Sequence, residues 1–284
     1  MEFSSILNFT LLFLFLASSS NAIDSITPNT TFKDTGDTLV SFGGQFELAF
    51  VNIGSTGRYL GIRYHNYANN TVIWVANRNT PLNDTSGVLS LKPDGTLYLT
   101  CNTTSLSARE IWSTNVSSSN APKYPIARLL DTGNLVVVDL NSGDNFYGNY
   151  LWESFDYPGN TFMPSIKFGR DLVTGLDIYL SSWKLDNEDP SEENFSYNLD
   201  PFGYPQLFLW KGNQIEYRSG PWNGQTFSGM PYLQPNSIYT FEFVMDEKQI
   251  YYQYSLIDSK LVSRMTLSSK GIIITWVWDK EQED

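Results

Sequence analysis

Three tryptophans in near-identical settings constrain this chain more than any other feature. Trp74 (Ile-Trp-Val-Ala-Asn), Trp112 (Ile-Trp-Ser-Thr-Asn) and Trp152 (Leu-Trp-Glu-Ser-Phe) stand 112 − 74 = 38 and 152 − 112 = 40 residues apart. A second marker keeps the same step. Gly95-Thr96-Leu97-Tyr98-Leu99 and Gly133-Asn134-Leu135-Val136-Val137 are 133 − 95 = 38 residues apart, and Gly44-Gln45-Phe46-Glu47-Leu48 is an earlier, looser copy. A fixed period of this length signals stacked copies of one supersecondary unit. Between the markers lie short β-branched and aromatic runs, broken by turns such as Pro93-Asp94-Gly95 and Asp131-Thr132-Gly133-Asn134, and this pattern reads as strands. No window carries a sustained helical period with caps. One such unit is a small sheet with one apolar face, too small to stand alone, whereas three around an axis can share a core. The expectation is an all-β fold of three pseudo-repeated sheets whose tryptophans meet as structural core residues.

After Pro158 the repeat stops. An acidic stretch (Asp186, Glu188, Asp189, Pro190, Glu192, Glu193) reads as a solvated loop. The segments 195–199, 206–210, 238–244, 249–256 and 261–267 read as antiparallel strands of a second β domain, and the chain ends after another strand-like run at Asp284. At the other end, the apolar run 6–17 followed by Ser20-Asn21-Ala22 reads as a secretory signal over residues 1–22, although Glu2 replaces the usual early cation. The run is too short to span a bilayer, which takes about 20 residues. The expected division is therefore signal 1–22, first domain 23–157 and second domain 158–284, with no membrane span in the chain.

Composition narrows the function. A net charge of −12 with Lys and Arg scattered singly leaves no basic stripe, so nucleic acid is not an expected partner. The single Cys101 permits no intrachain disulfide, and its place in the same-face series Leu97, Leu99, Cys101 predicts a buried, inert thiol. The sole histidine, His65, reads as a strand-end surface residue and rules out multi-histidine metal sites. With no Gly-x-Ser-x-Gly elbow, phosphate loop or kinase signature, no catalytic residue, metal or cofactor is expected. Six sequons follow the signal, at Asn29, Asn69, Asn83, Asn102, Asn115 and Asn194, each a candidate N-glycosylation site in a secreted chain.

Several stretches resemble the extracellular part of plant S-domain (G-type lectin) receptor-like serine/threonine kinases and the secreted S-locus glycoproteins. Arg-Tyr-Leu-Gly-Ile at 58–62, Thr-Val-Ile-Trp-Val-Ala-Asn-Arg-Asn at 71–79, and residues 129–136 and 151–158 resemble the bulb-type lectin pattern. Ser181-Ser182-Trp183-Lys184, residues 217–224 (Tyr-Arg-Ser-Gly-Pro-Trp-Asn-Gly) and Phe227-Ser228-Gly229 resemble the S-locus glycoprotein domain. The resemblance implies a bulb-lectin β-prism over the first domain and an S-locus glycoprotein domain after it. It also implies an apoplastic location and a chain that stops short of the cysteine-rich, membrane-spanning and kinase regions of its longer, plasma-membrane relatives.

Mannose-binding bulb lectins carry a Gln-x-Asp-x-Asn-x-Val-x-Tyr strand, whose alternation sets five side chains on one face. By Gly133 the window offers Leu130, Thr132, Asn134, Val136 and Val138, keeping Asn134 and Val136. By Gly95 it offers Lys92, Asp94, Thr96, Tyr98 and Thr100, keeping Asp94, and a first window at Thr56, Arg58, Leu60, Ile62 and Tyr64 keeps Tyr64. Each lost hydrogen-bond partner costs a shallow site about 0.5–1.5 kcal/mol, so monosaccharide binding at these windows is not expected. The favoured expectation is recognition of a protein or peptide ligand, or of another receptor ectodomain, in pollen recognition, defence or development. Two alternatives stand beside it: a lectin using another glycan site, and an incomplete product of a receptor-kinase gene.

Overall fold

The computed structural model describes residues 25–55, 57–66, 68–102, 108–114, 116, 122–142, 150–231 and 233–280. Residues 1–22, where the sequence predicts the signal, lie outside them. The first half forms three four-stranded antiparallel sheets, one per repeat. The first runs Leu39–Val40, Phe46–Ile53, Gly57–Tyr64, Val72–Val75; the second Thr31–Lys33, Val88–Leu91, Leu97–Asn102, Ala108–Ser113; the third Ser25–Ile26, Pro125–Leu129, Leu135–Asp139, Trp152–Glu153. Each tryptophan sits on, or one residue inside, the last strand of its sheet. The segment 25–40 hands one short strand to each sheet in reverse order, third, then second, then first. Within it, buried Asp34 forms a bidentate ion pair with Arg58 of the first sheet.

Alternation decides what faces inward. Phe46, Leu48 and Phe50, Leu97 and Leu99, and Leu135 and Val137 are equivalent by marker position, and all are buried in one cluster. Each such side chain contributes roughly 1.5–3 kcal/mol. The marker glycines open these strands at φ +88° (Gly95) and +84° (Gly133), a turn conformation that costs other residues free energy. At Gly133 a Cβ would also approach Phe46 Cε1 to 3.0 Å. The tryptophans close one end of the prism. Their ring centroids are 5.9 Å (Trp74–Trp112), 6.0 Å (Trp74–Trp152) and 5.8 Å (Trp112–Trp152) apart, all edge-to-face, which is the favoured aromatic geometry. Trp74 and Trp152 are buried and Trp112 half-buried. The three-unit expectation holds.

The second half is also β throughout, in three antiparallel sheets. One runs Leu180–Leu185, Asp189–Asp200, Gln206–Lys211, Gln214–Pro221; another Asp177–Ile178, Phe168–Asp171, Gln249–Leu256, Tyr239–Met245; the third Thr161–Phe162, Leu261–Leu267, Ile273–Asp279. Two expectations are corrected here. The acidic stretch is a tight hairpin turn leading into the long strand Asp189–Asp200, which begins with both faces partly solvated and so hides its period. Cys101 lies on the expected face, but near the strand end, and is half-buried against the core rather than fully enclosed.

The halves share one hydrophobic cluster. Fully buried Tyr64 donates weakly to Met163 Sδ (3.8 Å) and meets Trp278 edge-on at 5.9 Å, while Arg264 lies 4.6 Å over the Trp278 ring. The indole of Trp74 donates to Tyr157 O at 2.8 Å. Arg78 reaches across the junction: Nε donates to Pro190 O (2.8 Å), Nη1 to Ser181 Oγ (2.8 Å), and Nη2 to Ser182 O (3.1 Å) and Ser181 O (3.4 Å).

Candidate functional site

The prism's three outer faces carry the lectin windows, and each is altered differently. On the third, Asn134 is only 4% exposed. Its Nδ2 donates to Glu153 Oε2 (2.7 Å), and its Oδ1 accepts from Ser154 Oγ (3.0 Å) and Phe155 N (3.2 Å). These bonds hold the 153–155 turn, so the amide is turned inward. Val136 and Val138 are buried with Ile126 beneath Leu130 and Tyr150, a plug of hydrocarbon where a sugar would stack. Asn134→Ala is expected to cost about 2 kcal/mol, because Glu153 and the turn amide lose buried partners. Urea denaturation would measure it; an unchanged midpoint would refute the structural role.

On the second face, Asp94 is exposed and accepts from Thr96 N at 2.8 Å within its own turn. That backbone hydrogen bond holds its carboxyl below the usual range. Lys92 lies 4.7 Å over the Tyr98 ring and 3.9 Å from Glu110.

The first face requires a correction. Thr56 lies outside the described residues, and Leu60, Ile62 and Tyr64 point into the prism core. The register set by Gly44 instead places Gln45, Glu47 and Ala49 at the outer positions. Glu47 is buried and paired with Arg63 at 2.7 Å, with His65 Nδ1 3.6 Å away just beyond the strand end. Ala49, Val51, Ile53, Tyr59 and Val75 are sealed by Trp183 from the second half, itself 7% exposed. Sequence reasoning missed this cover, because nothing in Ser-Ser-Trp-Lys tells which surface its ring meets.

Two of the concavities between the halves join aromatic walls to charged groups. A cleft of about 610 Å³ runs along the third sheet, walled by Leu130, Tyr150, Phe155 and Ile178, with Arg128, Glu153, Asp156 and Lys167 as charged groups and Phe42 fully exposed at its lip. A second cavity, of about 470 Å³, lies over the tryptophan triangle and is walled also by Tyr157, Tyr179, Arg78, Asp177 and Glu192. Asp156 touches both.

Burial pushes the Asp156 carboxyl up to about 7, helped by the nearby Glu153 and Asp171 charges and opposed by Lys167. Burial raises Glu153 too. A carboxyl whose folded pKa exceeds its unfolded value favours the folded state only while protonated. Its contribution is therefore fully present below about pH 4 and is lost as pH rises towards 7. Three units correspond to about 4 kcal/mol, and residual solvent contact reduces this to about 2 kcal/mol. Asp156→Asn is expected to stabilise the protein by that amount at pH 8 and by nearly nothing at pH 4, read from denaturation midpoints. An equal effect at both pH values would exclude Asp156 as the titrating group.

Of the six sequons, Asn29, Asn69, Asn83 and Asn194 are exposed. Asn115 and the side chain of Asn102 lie outside the described residues. Among the described residues no helix is long and apolar enough to cross a membrane.

A three-sheet lectin prism fused to a second antiparallel β domain is the class of protein this architecture defines. The D-mannose binding lectin family matches residues 71–184, and the S-locus glycoprotein domain matches residues 217–284. The chain is 39% identical over 243 residues to the S-locus-specific glycoprotein S6 of Brassica oleracea, an alignment covering 85% of this chain and 54% of that one. It is 37% identical over 269 residues to the receptor-like serine/threonine-protein kinase SD1-8 of Arabidopsis thaliana, covering 94% and 31%. With the Arabidopsis G-type lectin S-receptor-like kinase At1g11410 it shares 35% identity over 274 residues, covering 95% and 31%. The chain is thus a homologue of the S-locus glycoproteins and the G-type lectin S-receptor-like kinases, joining a bulb-lectin domain to an S-locus glycoprotein domain. It spans about half the length of the glycoprotein relative and under a third of the kinases.

Proposed function

We propose that this chain is a secreted, apoplastic recognition module that binds a protein or peptide partner, or another receptor ectodomain, rather than a free monosaccharide. The observation carrying the reading is the state of the three windows. Asn134 is spent on an internal turn, Asp94 on its own loop, and the first face lies under Trp183. Both concavities join apolar and aromatic walls to a few charged groups, a composition suited to peptide side chains. The exposed sequons at Asn29, Asn69, Asn83 and Asn194 fit a glycosylated extracellular surface. Kinship with S-locus glycoproteins and S-receptor-like kinases supports pollen recognition, or defence or developmental signalling, as the process.

The test passes the secreted, glycosylated chain over immobilised mannose beside a bulb lectin control. Folded protein is expected in the flow-through while the control is retained. Retention that free mannose elutes would make the chain a lectin instead. A captured partner should remain bound after enzymatic deglycosylation and in excess mannose.

A further inference from the structure

The cavity over the tryptophan triangle has a chemistry that the prism core does not need. Tyr157 stacks on Trp152 at 6.1 Å with its plane tilted by 12°, and is 48% exposed. Tyr179, 41% exposed, forms another part of the wall, and the half-buried ring of Trp112 completes an open aromatic surface. Three carboxylates share this wall: Asp156, Asp177 and Glu192. Oδ1 of Asp177 is buried without a hydrogen-bond partner among the described residues, and Arg170 stands opposite Asp177 in the strand ladder. Among the described residues the one cation in the lining is Arg78, and its Nε, Nη1 and Nη2 all donate to oxygens of the second half. It is wall rather than ligand-binding group. The outer groove continues past Asp177, Tyr179 and Glu192 towards Glu193 and Trp210, adding another carboxylate and another indole.

Aromatic faces beside carboxylates that outnumber the cations of the lining form a receptor for an organic cation, because the ring quadrupole and the anions attract the same charge. A volume of about 470 Å³ lies within the ~300–1,000 Å³ of small-ligand sites. The chain's charge of −12 adds long-range attraction for a basic partner. We infer that this junction cavity receives the cationic side chain of a peptide partner, an arginine or lysine that inserts between Tyr157, Tyr179 and the tryptophan triangle against Asp177 and Glu192. The inference rests on the protein-recognition reading and names the partner's chemistry. It also assigns the tryptophan end of the prism, rather than its three lectin faces, as the docking end.

The test titrates the full secreted chain with acetyl-Gly-Arg-Gly-Arg-Gly-amide and with its citrulline counterpart, which keeps shape and loses charge. The arginine peptide is expected to bind about tenfold more tightly. Tyr179→Ala and Glu192→Gln, both at exposed positions, should each weaken it about fivefold; Tyr179→Ala should leave the melting temperature unchanged, and Glu192→Gln, which removes a charge beside Arg78, should lower it only slightly. Glu247→Gln, on an exposed hairpin turn away from the cavity, should have no effect. Equal binding of the citrulline peptide, indifference to Tyr179→Ala and Glu192→Gln, or an equal loss in Glu247→Gln would overturn the inference, the last by reducing it to diffuse charge. A native partner whose capture survives Tyr179→Ala and Glu192→Gln would remove the cavity and leave protein recognition standing. Elution from mannose in the preceding experiment would strike the recognition reading itself.

Discussion

Arg78→Ala is expected to lower stability by about 3–5 kcal/mol and to loosen the two halves from each other. The guanidinium is largely buried, and desolvation lowers its pKa against the opposing charge of Glu192, so its charge is carried at a cost that Glu192 and its hydrogen-bond partners offset. The hydrogen-bond partners are Pro190 O, Ser181 Oγ, Ser181 O and Ser182 O, all on the 181–190 hairpin. Truncation removes every donor at once and leaves the acceptors facing a hole. Hydrogen bonds to charged groups contribute about 1.5–3 kcal/mol each and do not add fully. Trp183 lies on the same hairpin, so the seal over Val51, Tyr59 and Val75 should weaken with it. Arg78→Lys, with one ammonium in place of a planar fork, should recover less than half of the loss. Guanidinium denaturation gives the energies, and limited proteolysis between 157 and 190 gives the loosening. Wild-type midpoints in Arg78→Ala would show that the clamp contributes nothing.

The second large effect belongs to the tryptophans, and it is graded. Trp74→Ala should cost about 3–5 kcal/mol, the usual range for emptying a buried aromatic site. It loses two edge-to-face neighbours and the bond from its indole to Tyr157 O, which fixes the last residue before the second half. Trp152→Ala should approach this value, since its ring is 6% exposed. Trp112→Ala should cost least, because Trp112 already meets solvent. A Trp112→Ala loss equal to that of Trp74→Ala would mean that the triangle acts as a symmetric core, without the open face assigned to it here.

The spacing of these residues made the first half readable. Equivalent positions in units arranged around an axis must converge, so 38- and 40-residue steps implied both the three sheets and the meeting of the rings. Strand alternation then separated Leu97 and Leu99 from Tyr98, and Leu135 and Val137 from Val136. Alternation alone misplaced the first window. The strand holding Arg58 and Tyr64 has the right residue at one position but the opposite face, and only the Gly44 marker sets the register. Strands of two or three residues, such as Ser25–Ile26, are too short to show any period. Contacts across a hundred residues, such as Arg78 to Ser181, leave no local trace. The degeneracy of the sugar windows was legible from residue types. What fills them instead, a valine plug, a self-bonded turn and a foreign tryptophan, was not.

The reversed handout of short strands by segment 25–40 dictates an order of events on the ribosome. This segment emerges ahead of the strands it pairs with, and Ser25 must wait for Arg128 and Thr31 for Ser90 before either can pair. The two-residue pairing of Leu39–Val40 with Glu47 and Leu48 is the only one available early. The prism is therefore laced in the order in which its sheets are made, each step taking up a strand nearer the start of the segment, and Ser25–Ile26 and Thr31–Lys33 stay unpaired until residues 127–128 and 88–90 are made. Contacts this distant in sequence form late and slowly. Meanwhile Ile26 and Phe32, both fully buried in the finished fold, stay uncovered, so the unlaced chain exposes apolar surface until those partner strands are made.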